Sequence, residues 1–381
     1  MRFITRAGLL TLGIVTACSA PDRRETLDES APVHRSGAVR LLLQLPDELN
    51  TPDGAAMSPQ GDIILSIPNF NNDALLADGS IEEPSPPRMV AIDPQNQLTT
   101  WYMFQPADMH PDTGRIGPMG CAFGPDGNLY VNDMEALWNG DHKSRVLRIN
   151  VENGTPTGVD TVVEGLILAN GVAWKGDTLF ITESILGRAE GEDNPLVSGV
   201  YAIDIDELAK GPVVLPPYDE ANPDPHLVAV FRSSGRVGFG ADGVTVDGEG
   251  SLYTTIVEDG IIYKTSFDDG GRPIDTQVLA KSEGMYSADG IRWRAEDNRL
   301  YVADILGNAI HAVDMDGTVH MLHQNGDTDG SDGALDEPAE VILRGNELIV
   351  VNMDMPWDDP QNLLTNSTPD RPYTLSVIEL P

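Results

Sequence analysis

Residues 241–253 read ADGVTVDGEGSLY, and this stretch sets the pattern of the whole chain. A short β-rich run opens with Asp242-Gly243, a Gly-rich turn follows, and a second β-rich run begins at Leu252. The arrangement recurs five more times, with an opening pair about ten residues ahead of a second run of the Leu-Tyr-Val type. The other copies are Asp53-Gly54 before Ile63-Ile64-Leu65, Met119-Gly120 before Leu129-Tyr130-Val131, Asn170-Gly171 before Leu179-Phe180-Ile181, Asp289-Gly290 before Leu300-Tyr301-Val302, and Glu340-Val341 before Leu348-Ile349-Val350.

Six repeats of this kind are typical of a β-propeller. The opening positions follow one another at intervals of 47 to 72 residues, which suits blades of several short strands. Third strands are expected at 146–149, 199–204, 261–264 and 309–313, and the terminal runs 39–45 and 373–380 are expected to complete one blade together. We therefore predict an all-β, six-bladed β-propeller over residues 38–381 rather than a sandwich with a second domain.

The N-terminus has the composition of a targeting segment. Residues 1–17 combine Arg2 and Arg6 with an apolar run too short to span a bilayer, which predicts a signal peptide. The ending at residues 15–18, VTAC, resembles a bacterial lipobox, which implies cleavage before Cys18 and its lipidation. Residues 18–37 then form a lipidated, flexible tether. We expect the chain to face the periplasm from the outer membrane or, if Cys18 is incidental, to be secreted.

The charge and the cysteines exclude several possibilities. Lys and Arg number 24 and Asp and Glu number 60, for a formal net charge of −36. Such a surface repels phosphate backbones and anionic headgroups, so nucleic-acid binding is excluded and membrane association is expected only through the lipid anchor. With Cys18 lipidated, Cys121 has no disulfide partner, and its apolar surroundings predict a buried, inert thiol.

The residues that open the repeats are the candidate site residues. The innermost strands of a propeller line a central channel, so their first residues gather at one mouth. These residues are Asp53, Met119, Asn170, Asp242, Asp289 and Glu340. Four carboxylates and an amide repel one another at an axis unless they share protons or bind a cation, and oxygen donors suit Ca²⁺ or another divalent cation. The alternative is that Asp-Gly and Asn-Gly are ordinary turn dipeptides.

Two stretches carry a family resemblance. Residues 170–183, NGVAWKGDTLFITE, and the stretch 241–253 resemble the senescence-marker-protein/gluconolactonase/lactonase family of six-bladed propellers. The resemblance implies an axial divalent cation, usually Ca²⁺, held by Asp53, Asn170 and Asp242. It also implies that Asp242 is the general base and that Asp289 is a further ligand. The second-blade motif of the family is of the type Arg-x-Asn-Asp-Gly. This chain has Arg115-Ile116-Gly117-Pro118-Met119-Gly120 there, so the Asn of the motif is missing.

The resemblance implies a hydrolase that opens a lactone or a related ester with metal assistance. Its substrate is a small molecule, and Glu340 is a second catalytic candidate as base, ligand or substrate-orienting residue. Two alternatives stay open: a non-catalytic, ligand-binding propeller in the periplasm, and a metal-dependent lyase or isomerase on the same scaffold. Residues 325–336 match an EF-hand loop in part, so either a plain acidic loop or a second Ca²⁺ site is expected there. The oligomeric state stays open.

Overall fold

The computed structural model describes residues 38–190, 193–355 and 371–381. Within these ranges the chain forms six sheets, five of four strands and one of five. Two short helices and two single 3₁₀ turns accompany them, and no helix in this part of the chain is long and apolar enough to cross a membrane. The expected signal peptide, Cys18 and the tether lie outside the described residues and stay predictions.

The chain runs through the blades in order, apart from its first strand, β1 (Arg40–Gln44), which belongs to the last blade. Blade 1 contains β2 (Ala55–Met57), β3 (Ile63–Ile67), helix α1 (Asn72–Asp78), β4 (Arg88–Ile92) and β5 (Leu98–Met103). Blade 2 contains β6 (Pro118–Phe123), β7 (Leu129–Asp133), β8 (Ser144–Glu152) and β9 (Thr155–Leu166). Blade 3 contains β10 (Ala169–Lys175), β11 (Thr178–Arg188), β12 (Leu196–Asp204) and helix α2 (Ile205–Leu208). The short β13 (Val213–Val214) joins β9 in parallel, and β14 (Leu227–Ser233) completes blade 3.

The second half of the chain repeats the same hairpin order. Blade 4 contains β15 (Ala241–Val246), β16 (Leu252–Ile256), β17 (Ile261–Phe267) and β18 (Pro273–Lys281). Blade 5 contains β19 (Ile291–Arg294), β20 (Arg299–Asp304), β21 (Ala309–Asp314) and β22 (Val319–Gln324). Blade 6 contains β23 (Pro338–Arg344), β24 (Glu347–Asn352) and β25 (Thr374–Glu379). All four predicted third strands are present, as β8, β12, β17 and β21.

The two ends of the described chain meet in blade 6. Strand β1 pairs antiparallel with β25, with Arg40 opposite Val377 and Gln44 opposite Thr374. Strand β25 pairs in turn with β24, so the outermost strand of this blade comes from the start of the chain. The six-bladed propeller and its predicted closure by the terminal strands are both confirmed.

The apolar faces of neighbouring blades form the core. The second-strand triples of the repeat, such as residues 129–131, are fully buried between blades. Trp174 of blade 3 meets Tyr130 of blade 2 edge-on, with ring centroids 4.8 Å apart, and Trp293 of blade 5 lies against Gly248 of blade 4. The second strands therefore form a continuous apolar ring around the channel.

A β-bulge opens the first strand of blades 1 to 5. In each, the residue that opens the repeat, here called the axial residue, and the glycine after it lie together opposite one residue of the second strand. In blade 3, for example, Asn170 and Gly171 lie opposite Thr182. A Cβ atom at Gly171 would overlap the carbonyl oxygen of Asp242 in the next blade, and the four equivalent glycines show the same overlap. These glycines are required because adjacent inner strands approach closely. The interpretation of the dipeptides as ordinary turns is therefore wrong.

Blade 6 departs from the repeat by one residue. In blades 4 and 5 the residue two positions after the axial residue pairs with the third residue of the second-strand triple. In blade 6 the residue that makes this pairing is Val341, which lies opposite Val350. By this register Ala339 is the counterpart of the axial residues, and Glu340 is the counterpart of the glycines. The predicted equivalence of Glu340 with the other axial positions is therefore wrong by one residue, because the register of blade 6 shifts at Ala339 instead of over an X-Gly pair.

Candidate functional site

Five polar side chains lie together at the channel mouth, each delivered by a different blade. They are Asp53, Asn170, Asp242, Asp289 and Glu340, from blades 1, 3, 4, 5 and 6, and they are only 3 to 9% exposed. The Asn170 amide contacts the Asp242 carboxylate directly, and the Asp242 and Asp289 carboxyl groups share a hydrogen bond. Blade 2 contributes the buried Met119. The structure therefore brings together every residue that the sequence placed at the axis, including Glu340 despite its shifted register.

Polar side chains of the second strands fix the backbone at the axial positions. Asn132 donates its amide N–H to the Asn170 carbonyl of the next blade at 2.7 Å. Thr182 donates to the Asp242 carbonyl at 2.5 Å, and Thr255 donates to the Asp289 carbonyl at 2.7 Å. Each of these hydrogen bonds ties one blade to the axial residue of the following blade. The axial side chains are therefore held by a buried framework rather than by loops.

A second set of buried acids, one residue further along the second strand, has a structural role. Glu183 accepts the backbone N–H groups of residues 167, 168 and 185 at 2.8, 2.7 and 3.1 Å. Asp304 accepts those of residues 286, 287 and 307, each at 2.8 Å, and Asp133 accepts that of Gly117 at 2.7 Å. These carboxylates bind the segments that lead into the axial positions. They replace water as partners of backbone groups that would otherwise be buried unpaired.

Burial raises the pKa of all four axial carboxyl groups. At Asp242 burial raises the pKa to about 7, and the charge of Glu340 adds to the effect. At Asp53 and Asp289 burial and the charge of Asp242 raise the pKa well above its usual range. Burial also raises the pKa of Glu340. The four groups cannot all ionise without a compensating positive charge, so the cluster retains protons or takes up a cation.

One positive charge is built into the site. The Arg292 guanidinium lies 2.7 Å from a Glu340 carboxylate oxygen and donates to the Ala55 carbonyl of blade 1 at 2.9 Å. The other Glu340 oxygen accepts the Val341 N–H at 2.8 Å. Arg292 therefore neutralises one of the four acids. Within the described residues, no arginine or lysine forms such an ion pair with Asp53, Asp242 or Asp289.

The remaining donors have the chemistry of a hard-cation site. Asp53, Asp242 and Asp289 offer carboxylate oxygens, and Asn170 offers an amide oxygen once its terminal group turns over. Across residues 38–190, 193–355 and 371–381, no group of three or more His, Cys, Asp or Glu side chains has the arrangement of a metal site. The donors fit such an ion by type and by place in the fold, and side-chain rotation is needed to gather them around it.

The loop at residues 325–336 is held by its own hydrogen bonds. Asn325 accepts the Leu335 N–H at 2.7 Å, and the Asp329 carboxylate accepts the Ser331 N–H at 3.0 Å. The loop joins β22 to β23, so it lies on the mouth face of the ring, as its position before the sixth repeat predicts. These local bonds favour the plain acidic loop over a second Ca²⁺ site.

Four residues of the site were missed in the sequence. The blade-to-blade donors Asn132, Thr182 and Thr255 each directly follow the second-strand triple, so the repeat itself carries a signal for them. Arg292 carried no such signal, because it lies on a strand between apolar residues and its partner comes from another blade. Cys121 is buried as predicted, and burial raises the pKa of its thiol; its inertness stays a prediction.

Fold and site together define a six-bladed β-propeller with an axial cluster of acids and one amide. No protein-family model matches the sequence, and no curated protein matches it. One solved structure that resembles it is a gluconolactonase from Xanthomonas campestris, at 15% identity and a TM-score of 0.51, over 91% of each chain. Another is a luciferin-regenerating enzyme, at 12% identity and a TM-score of 0.56, over 90% of this chain and 95% of that one.

A third similar structure belongs to an enzyme of a different class, a dehydrogenase. It is the PQQ-bound form of an aldose sugar dehydrogenase from Streptomyces coelicolor, at 16% identity and a TM-score of 0.53, over 92% of this chain and 99% of that one. The comparisons thus confirm the expected likeness to gluconolactonase-type propellers at the level of the fold. Because the same fold serves a dehydrogenase, the reaction must be inferred from the axial residues.

Proposed function

We propose that the protein is a metal-dependent hydrolase that opens a lactone or a related carboxylic ester at the axial cluster. The observation that carries the proposal is the convergence of three aspartates and one asparagine, from four blades, in a buried site whose acids have raised pKa values. Asp53, Asn170, Asp242 and Asp289 would hold the cation, with Ca²⁺ the best match to an all-oxygen donor set. When bound, the cation supplies a Lewis acid that polarises the ester carbonyl and stabilises the oxyanion.

Asp242 is the group that we assign as general base. It is the most deeply buried of the axial acids, and its carboxylate can accept a proton from an attacking water. Asp242 takes a proton from the attacking water while the water oxygen bonds to the carbonyl carbon. The ring C–O bond then breaks, the proton passes to the departing alkoxide oxygen, and the new carboxylic acid ionises to release one proton.

Glu340 takes a different part in this proposal. Both of its carboxylate oxygens already have partners, the Arg292 guanidinium and the Val341 N–H. Neither oxygen is therefore open to an attacking water. We therefore assign Glu340 and Arg292 as positioning residues that orient the axial cluster.

The test is a pH-indicator assay of lactones and aryl esters, with and without a chelator. We expect one proton per ring opened, loss of turnover on chelation, and recovery when Ca²⁺ is restored. Asp242→Asn should lower kcat by about 10²-fold or more, as expected for a lost general base. The matched control is Glu249→Gln, which removes an exposed carboxylate from the same blade and should leave kcat unchanged.

Four outcomes would contradict the proposal. Turnover of Asp242→Asn at the parental rate would exclude its role as base. Activity that resists exhaustive chelation would exclude the cation. An unsaturated product that has taken up no oxygen from solvent water would indicate a lyase, and the absence of turnover on every substrate would favour the non-catalytic binding propeller.

A further inference from the structure

Apolar side chains cluster on the mouth face of the channel, next to the positions of the axial acids. In each blade the second strand ends on the face where the first strand begins, so the segments that flank these points all lie on the mouth face. Two clusters of buried apolar side chains occupy these segments, and all six blades contribute to them or to the side chains packed against them. The buried members are Met119, Met134 and Leu168 in one cluster, and Val257, Ile305, Leu306, Ala339 and Met353 in the other.

Two phenylalanines join the clusters. Phe70 of blade 1 and Phe239 of blade 4 come from opposite sides of the ring, and each packs against both clusters. We call these two clusters, together with Phe70 and Phe239, the apolar collar. The collar explains why side chains at a channel mouth are more than nine-tenths buried. The collar therefore places apolar side chains beside the axial acids.

The collar continues outward into exposed apolar surface. Leu137 is 46% exposed and Trp138 is 37% exposed, and both lie in the loop after β7 on the mouth face. The Trp138 ring packs on Phe70 with centroids 5.8 Å apart. Apolar contacts thus connect Trp138, whose ring also meets the Arg115 guanidinium at 5.8 Å, through Phe70 to the cluster that contains Met119.

We propose that the substrate is a neutral lactone or ester that carries an apolar alkyl or acyl chain, and that the collar binds this chain. The inference rests on the proposed function, because it assigns the substrate class of the same site. Each hydroxyl of a polyhydroxylated ring would lose its water partners against Met and Phe side chains, whereas an alkyl chain gains from the same contact. The acidic site also suits a neutral substrate and repels the carboxylate product, which favours its release.

A chain-length series tests the proposal. The substrates are γ-butyrolactone, γ-octalactone, γ-decalactone and γ-dodecalactone, with glucono-δ-lactone as the polyhydroxylated comparison. Burial of a methylene contributes about 0.8 kcal/mol, which corresponds to about a fourfold gain per CH₂ at full burial. We therefore expect kcat/KM to rise by about two- to fourfold per CH₂ along the series and to be lowest for glucono-δ-lactone.

The variant Met119→Asn places an amide in the collar and should flatten the dependence of kcat/KM on chain length. The matched control is Met321→Asn, at a half-buried position on the outer strand β22, which should keep the parental slope. Thermal unfolding of both variants verifies that they fold. Calorimetric titration of γ-dodecalactone into the Asp242→Asn protein measures chain binding without turnover and should give a negative heat-capacity change.

The outcomes separate this inference from the proposed function. Hydrolysis of all lactones with no dependence on chain length, or with glucono-δ-lactone preferred, would overturn the collar assignment and leave the hydrolase intact. Binding of γ-dodecalactone but not of γ-butyrolactone, with no hydrolysis of either, would uphold the collar as an apolar-chain site and overturn the hydrolase.

Discussion

At the scale of single residues, the buried acids fall into two groups that composition cannot distinguish. Glu183 and Asp304 accept several backbone N–H groups each and hold the segments that enter the blades. Asp53, Asp242 and Asp289 instead face one another across the axis. The difference follows from the strand on which each acid lies. Acids at the start of the first strand face the channel, whereas acids at the end of the second strand bind backbone N–H groups.

Glu135 belongs to neither group, and it gives the clearest pH prediction. Its carboxylate is buried after β7, and burial together with the charge of Asp133 raises the pKa of Glu135 to about 7. The unfolded chain releases this proton near pH 4.5, whereas the folded chain keeps it until about pH 7. Stability from this group is therefore fully present below pH 4.5 and is lost as the pH rises to 7, by at most about 2–3 kcal/mol.

Glu135→Gln removes this titration. We expect the variant to gain stability relative to the parent at pH 8 and to show little gain at pH 4.5. Urea unfolding at both pH values, followed by tryptophan fluorescence, measures the difference. An equal change at both pH values would mean that Glu135 does not titrate between them.

At the scale of elements, the bulge at the start of each inner strand is the feature that builds the site. It turns the axial side chain toward the channel and brings the backbone of the next blade against the glycine. We expect Gly171→Ala to cost about 1–3 kcal/mol, since the added Cβ meets the Asp242 carbonyl and the backbone must shift. Gly158→Ala on β9, where a Cβ meets nothing within 4 Å, is the control and should be near neutral.

Chemical denaturation of the two glycine variants provides the measurement. A Gly171→Ala protein as stable as Gly158→Ala would show that adjacent inner strands can separate without cost. In that case the repeated glycine would need another explanation.

The same bulge determines which axial positions can be predicted from the sequence alone. The X-Gly pairs predict the axial positions of blades 1 to 5 correctly, because the close approach of strands requires glycine at each. Glu340 was misaligned by one residue because blade 6 lacks that glycine, so the pattern held no marker of its register. Arg292 was missed because an ion pair between different blades leaves no periodic trace in the sequence.

At the scale of the whole molecule, the ring depends on the strand that the N-terminal segment supplies. Leu45 directly follows β1 and is 2% exposed, and Leu42 and Leu43 pack on the same core cluster. Removal of residues 1–45 takes away this packing and leaves β25 as an open edge. We expect the melting temperature to fall by at least about 5 °C and the protein to self-associate, compared with a control that lacks only residues 1–37.

Thermal unfolding and light scattering on the two truncated proteins test this expectation. Equal melting temperatures and equal monomer fractions would mean that blade 6 is stable with three strands. The propeller itself could be predicted from sequence because six copies of one hairpin pattern leave few other architectures. The order of strands within the closing blade followed from the two unpaired β-rich runs at the ends.

The pairing of β1 with β25 also has a consequence for biosynthesis. Strand β1 is synthesised before the other described strands, and its partner β25 is synthesised after them. The other five blades can therefore form while residues 40–44 are still unpaired. Until β25 has been made, this unpaired strand, Arg40-Leu41-Leu42-Leu43-Gln44, offers an open edge with three consecutive leucines to a chaperone or to a second nascent chain. We therefore expect β1 to pair with β25 late in folding, after the strands of the other five blades have paired.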